Sequence, residues 1–150
     1  MSTNNVQLHR VLAAPPEKVF KAFSDADAYA TWLPPYGFVA KIQQYEFKTG
    51  GSYKMSFTNF TTGNGHSFGG EFLEIKPNEL IKATDRFDDS NLPGEMVTTI
   101  QLKKVICGTE INITQTGIPE AIPAEMCYLG WQDSLDKLKR LVEPNIPDGE

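Results

Sequence analysis

Residues 61–70 read TTGNGHSFGG, with four glycines and one of the chain's two histidines in ten positions. Such a run could cradle a phosphate or simply turn the chain. The dinucleotide fingerprint G-x-G-x-x-G must follow a strand and open a helix, so that free N–H groups and the helix dipole meet the anion. Here the third glycine comes one place late, and the residues that follow, EFLEIKP, have strand character. No G-K-[ST] is present either. The residues therefore favour a turn: Gly63-Asn64-Gly65 as a hairpin turn that needs positive φ, and Gly69-Gly70 as a bulge or close backbone approach in the next strand. His66 falls at that strand's start. Its ordinary pKa of about 6.5 makes it a candidate polar group and no more.

The remaining chemistry-bearing residues are sparse. His9 and His66 fall on different strands with no carboxylate at metal spacing, so no metal site is expected. Asp85-x-x-Asp88-Asp89 is the densest acid cluster, but it lacks calcium-loop spacing and reads as a solvated hairpin loop. There is no G-x-S-x-G elbow. Glu71 and Glu74 are the candidate acid pair, yet on a regular strand they point to opposite faces. Cys127 sits on an apolar helix stripe, where free cysteine is commonly buried. No catalytic residue is assigned.

The aromatic residues carry more information. Tyr53, Met55 and Phe57 share one strand face; Phe68 and Phe72 share another, with Gly70 between them. Phe20 lies on the buried side of the first helix, Trp32 ends the second, and Trp131 lies on the last. Such stripes usually fill a core. They also serve as a pocket wall, which is mostly apolar with a few polar groups that fix orientation. Arg10 shares the face of Leu8 and Leu12, and Gln115 that of Ile111 and Ile113. A polar residue that interrupts an apolar face is what a lined cavity would produce.

The elements that must position these residues follow from periodicity. VQLHRVLA at 6–13 alternates as a strand. Ala-Ala-Pro-Pro leads into the helix PEKVFKAFS, where proline suits the first helical position and Glu17 the positive end of the dipole. Ser24 or Asp25 can cap a second short helix, DADAYATWL, which Pro34-Pro35 ends. The period then changes to two: FVAKIQQYEF, SYKMSFTNF, HSFGGEFLEI, ELIKATDRF, MVTTIQLKKV and TEINITQT read as strands. Short turns rich in Gly, Asn, Asp and Pro separate them, including the Asp88–Gly94 loop, which implies an antiparallel meander. The last element is helical. Cys127, Trp131, Leu135, Leu138 and Val142 fall at steps of four, four, three and four, one apolar stripe. Pro144 stops it, and 145–150 reads as a frayed tail. The layout is α+β: a strand, two short helices, about six more strands and one long helix.

Length and composition bound the rest. A chain of 150 residues suits one domain, 1–150. A net charge of −5 argues against nucleic-acid binding, which needs a basic face. No basic-then-apolar start marks a signal peptide, and no apolar stretch is long enough to span a membrane. Cys107 and Cys127 are the only cysteines, read as free thiols in a reducing cytoplasm. The glycosylation patterns at Asn59 and Asn112 are then chance matches.

Taken together, the segments resemble a known family. RVLAAPPEKVFKAFSDADAYATWL at 10–33, TGGSYKMSF at 49–57, GEFLEIKPNELI at 70–81, GTEINITQTGIP at 108–119 and LGWQDSLDKLKRLV at 129–142 are similar, in order, to the SRPBCC or START-like superfamily. Within it they resemble the branch of the C-terminal domain of the heat-shock-protein-90 ATPase activator. The resemblance implies a helix-grip fold: a curved antiparallel sheet of about six to seven strands, two short helices, and a long C-terminal helix enclosing a cavity. It also implies that Gly130 and Trp131 pack at the helix–sheet seam, glycine allowing close approach. One departure is Gln115-Thr116-Gly117, where many relatives carry histidine before Ser-Gly, so a role tied to that imidazole does not transfer. The co-chaperone also uses a separate N-terminal domain, so direct chaperone activation is not expected.

The expected function is binding of a small apolar or aromatic molecule in the cavity. The ligand-binding candidates are Arg10, Phe20, Trp32, Tyr53, Met55, Phe57, His66, Phe68, Phe72, Gln115, Cys127 and Trp131. No cofactor and no membrane insertion are expected, and a homodimer is allowed. The alternatives are a cyclase- or hydrolase-type enzyme with His66 or Glu74 as base, and a ligand-free, stress-related or co-chaperone-like interaction module.

Overall fold

The computed structural model describes residues 4–89 and 91–148. Its elements run β1 (Val6–Leu12), α1 (Pro16–Ser24), α2 (Ala26–Trp32), β2 (Phe38–Tyr45), β3 (Ser52–Asn59), β4 (Gly65–Lys76), β5 (Leu80–Phe87), β6 (Met96–Val105), β7 (Gly108–Thr116) and α3 (Ala124–Val142). The expected α+β helix-grip architecture is present. Every ladder is antiparallel, and the order β1-β7-β6-β5-β4-β3-β2 makes one seven-stranded sheet. From β2 to β7 each strand pairs with the next in sequence, as short turns require. Only the first connection is long. It carries α1 and α2 from one edge of the sheet to the other.

Local sequence explains the helices. Pro15 and Pro16 open α1, where a missing N–H costs nothing. Asp25 caps α2: its carboxylate accepts the Ala28 N–H at 3.2 Å. Trp32, at the end of α2, is buried and donates its indole N–H to the Ala22 carbonyl at 2.9 Å, which ties the two helices together. In α3 the acidic Glu125 is in the first turn and Lys139 and Arg140 in the last, as the dipole favours.

The glycine run is a hairpin loop. Asn59 Oδ1 accepts the Thr61 and Thr62 N–H groups, and Gly63 takes a φ of +80°. Gly65 is different from the expectation: it is already in β4, with no positive φ. Gly70 marks a close approach, because a Cβ there would lie 2.1 Å from the Thr84 carbonyl oxygen. The bulge falls later, between Phe72 and Glu74. It reverses the alternation, so Glu71 and Glu74 both point away from the core, and Glu74 pairs with Lys76 at 3.6 Å. Asp85 is not in the hairpin loop, since β5 continues to Phe87. Residues 145–148 are coil, and the rest of the expected frayed tail, like Ser90 in the Asp88–Gly94 loop, lies outside the described residues.

Candidate functional site

The long helix α3 serves two purposes along its length. From Leu135 onward it is pressed onto a solid core: Leu135, Leu138 and Val142 are buried with Leu8, Leu12 and Ile113. Toward its N-terminus the layers separate. Met126, Cys127, Gly130, Trp131 and Ser134 face a cavity of about 270 Å³ whose other wall is the sheet. That volume lies near the lower end of the ~300–1,000 Å³ usual for small-molecule sites.

Most of the wall is aromatic. One group surrounds Phe72: Phe47, Tyr53 and Tyr45 have ring centroids 5.1, 5.4 and 5.6 Å from it. A second group holds Phe57 and Phe68, 4.9 Å apart, with Phe87 and the His66 ring beside them at the rim. These rings hold one another by edge-to-face and tilted packing. Tyr45 donates its hydroxyl to the Phe23 carbonyl. Burial pushes the hydroxyls of Tyr29, Tyr45 and Tyr53 above the tyrosine range, so they remain neutral donors.

Few polar groups face inward, and Gln115 and Ser134 are held. Trp131 Nε1 donates to Gln115 Oε1 at 3.4 Å, and Gln115 Nε2 donates to Thr98 Oγ1 at 3.1 Å. The indole and the hydroxyl thus orient the amide. Ser134 Oγ donates to the Leu33 carbonyl, locking α3 to the end of α2.

Asp85 is the exception. It comes from the inward face of β5, between Ala83 and Phe87. Its Oδ1 is buried and has no hydrogen-bond partner. Burial pushes its carboxyl up to about 7, against the smaller opposing effects of the nearby Tyr53 hydroxyl and the Arg86 backbone N–H. Tyr53 has one hydroxyl proton, and the Thr84 carbonyl accepts it at 2.9 Å. Gly70 makes this arrangement sterically feasible. It pairs with Tyr53 across the β3–β4 ladder, and without a side chain there the phenol reaches over β4 to β5. The Asp85 charge also raises the Cys127 thiol, after burial itself. Burial lowers the His66 imidazole.

Of the residues expected to contact a ligand, Tyr53, Phe57, His66 and Phe68 line the cavity. So do Phe72, Gln115, Cys127 and Trp131. Four stand elsewhere. Arg10 is on the edge strand under the far half of α3, and its guanidinium donates to the His9 carbonyl at 2.8 Å. Phe20 packs on Phe47 at 5.5 Å, behind the wall. Trp32 and Met55 are sealed in the core. Gly130 faces the cavity, but an added Cβ would come no closer than 3.8 Å to Pro35, so close approach is not what it provides. Sequence reasoning missed Tyr29, Tyr45 and, above all, Asp85.

The family model for Activator of Hsp90 ATPase homolog 1-like protein matches residues 13–143. The chain belongs to this family. The crystal structure of protein CV1439 from Chromobacterium violaceum is similar at 56% identity, with a TM-score of 0.94 over 95% of this chain and 99% of that one. A Rhodobacter sphaeroides protein shares 20% identity and a TM-score of 0.79 over 91% of this chain and 90% of that one. An AHSA1-like protein from Aeromonas hydrophila shares 19% and 0.74 over the same shares, 91% and 90%. At those identities the last two share the fold of this AHSA1-like chain and nothing finer. No protein among the curated proteins matches it. Among the described residues, no helix is long and apolar enough to cross a membrane.

Proposed function

We propose that this chain binds one compact apolar or aromatic molecule in the cavity between the sheet and the N-terminal half of α3. The observation that carries this reading is a cavity of about 270 Å³ walled by fixed aromatic rings and a few held polar groups. Affinity would come from apolar area removed from water, at about 25 cal/mol per Å². Orientation would come from the Gln115 amide, which Trp131 and Thr98 hold. The volume favours one or two fused rings over a long-chain lipid.

Thermal unfolding across a panel of compact aromatics, flavonoid-like compounds and lipids tests this. A ligand at about 100 times its Kd adds roughly 2.7 kcal/mol. That raises Tm by several degrees in a domain of this size. Shifts from compact aromatics that shrink in Gln115→Leu support the reading. A flat panel overturns it in favour of an interaction module.

One observation also favours an acid–base enzyme in the same cavity: a carboxyl at about 7 is poised to exchange a proton at neutral pH. In that reading the base is Asp85, since Glu74 faces outward and His66 sits at the rim. Recovery of a bound compound unchanged after long incubation argues against it.

A further inference from the structure

Among the described residues, the cavity contains one carboxylate and no cation to answer it. No Lys or Arg side chain of these residues lines it. The neighbouring Arg86 points to the other face of the sheet, where it pairs with Glu95 at 3.3 Å. Asp85 Oδ1 is buried without a partner, although buried oxygens of this kind are almost always satisfied. The Tyr53 hydroxyl lies close enough to lower the carboxyl's pKa, but it donates to the Thr84 carbonyl at 2.9 Å. Tyr29 and Tyr53 lie within reach of its charge, and Phe72 and Phe87 line the same cavity. A carboxylate in an aromatic-walled cavity matches the two needs of an ammonium ion in an apolar setting: a charge-assisted acceptor and π faces.

We propose that the ligand of this cavity carries a protonated amine on a compact aromatic body, and that the amine pairs with Asp85. The inference rests on the binding reading above and adds the ligand's charge and its anchor. Asp85 also selects against anions. A ligand carboxylate would sit beside a second carboxylate with no counter-ion among the described residues, which is unfavourable in an apolar setting.

The amine must meet an ionised Asp85, so binding releases the proton that the carboxyl holds in acid. Affinity therefore rises with pH through about 7. The other groups that face Asp85 do not reverse this sign. Tyr29 on α2, Tyr45 on β2 and Tyr53 on β3 stay neutral, and burial raises the Cys127 thiol on α3. His66 on β4 has a lowered pKa and charges only in acid, where it too disfavours a cation. β6 and β7 contribute Thr98 and Gln115, which do not titrate.

The test is calorimetric titration of the whole chain with three probes of one shape: naphthylmethylamine, ethylnaphthalene and naphthoate. At about pH 8 the amine is expected to bind at least about tenfold tighter than the neutral probe, and naphthoate weakest. At about pH 5.5 the amine loses roughly thirtyfold, the factor set by a group titrating near 7, while the neutral probe is unchanged. Asp85→Asn is expected to remove the preference and keep ethylnaphthalene binding. The comparison in the unaltered chain stands even if that variant folds poorly. Neutral probe binding as tightly as the amine at pH 8, or a preference that survives Asp85→Asn, overturns the proposal and leaves the binding reading intact. If none of the three binds, the binding reading falls and the proposal with it.

Discussion

At the scale of single residues, Asp85 has the largest consequence. A carboxyl held at about 7 in the fold, against an ordinary value near 3.8, binds a proton that the unfolded chain has released between those values. Stability is therefore full in acid and falls as pH rises from about 4 through about 7. The loss at pH 8 is on the order of 4 kcal/mol. Asp85→Asn is expected to unfold at higher urea than the parent at pH 8, with the gap closing toward pH 4. A gap independent of pH would mean that the carboxyl is not shifted in this way. The signal for Asp85 was legible. In LIKATDRF the residues Ile81, Ala83, Asp85 and Phe87 alternate onto one face, and a lone acid interrupts it. The same criterion singled out Gln115, which lines the cavity. Asp88 and Asp89 obscured it, because three nearby acids resemble a solvated loop. Alternation gives the face of a side chain, not its depth along the sheet. That is why Arg10 and Met55 share the inward face but not the cavity.

Among the elements, β4 and α3 shape the site. Gly70 lies against the β5 backbone, and Gly70→Ala puts a methyl 2.1 Å from a backbone oxygen that cannot swing away. A loss of about 1–3 kcal/mol is expected from such overpacking. The Tyr53–Thr84 hydrogen bond should be disturbed with it, visible as a changed tyrosine environment in near-ultraviolet circular dichroism. Parental stability in Gly70→Ala would contradict the close approach. Along α3, core and cavity separate by position. Leu138 is 0% exposed, and Leu138→Ala should cost about 2–5 kcal/mol in urea unfolding. Gly130→Ala should instead gain about 0.5–1 kcal/mol, since alanine is the better helix former and the space is open. If both variants lose stability equally, α3 is not divided in this way. The irregularity in β4 shows where sequence reading stops. Clean alternation located all the strands, but the bulge after Phe72 moved Glu74 to the outer face. Nothing local in GEFLEIK announces an extra residue; the partner strand decides it.

For the whole molecule, topology was legible because punctuation and periodicity agreed. Proline pairs opened and closed the short helices, turn residues separated the strands, and one unbroken stripe ran the length of α3. The cavity's position was less so. It depends on where α3 stops touching the sheet, and an apolar stripe reads alike whether its residues meet side chains or space. Trp131 and Leu135 are one helical turn apart on that stripe, yet one lines the cavity and the other is in the core. The central claim is that this space receives a compact aromatic molecule at Asp85. The most direct measurement is an amide and indole NMR titration with naphthylmethylamine at about pH 8, above the carboxyl's pKa of about 7. Shifts concentrated at Tyr53, Asp85, Cys127 and the Trp131 indole, with β1 and the second half of α3 silent, are the predicted result. Shifts scattered over the outer face of the sheet, or none at saturating probe, would contradict it.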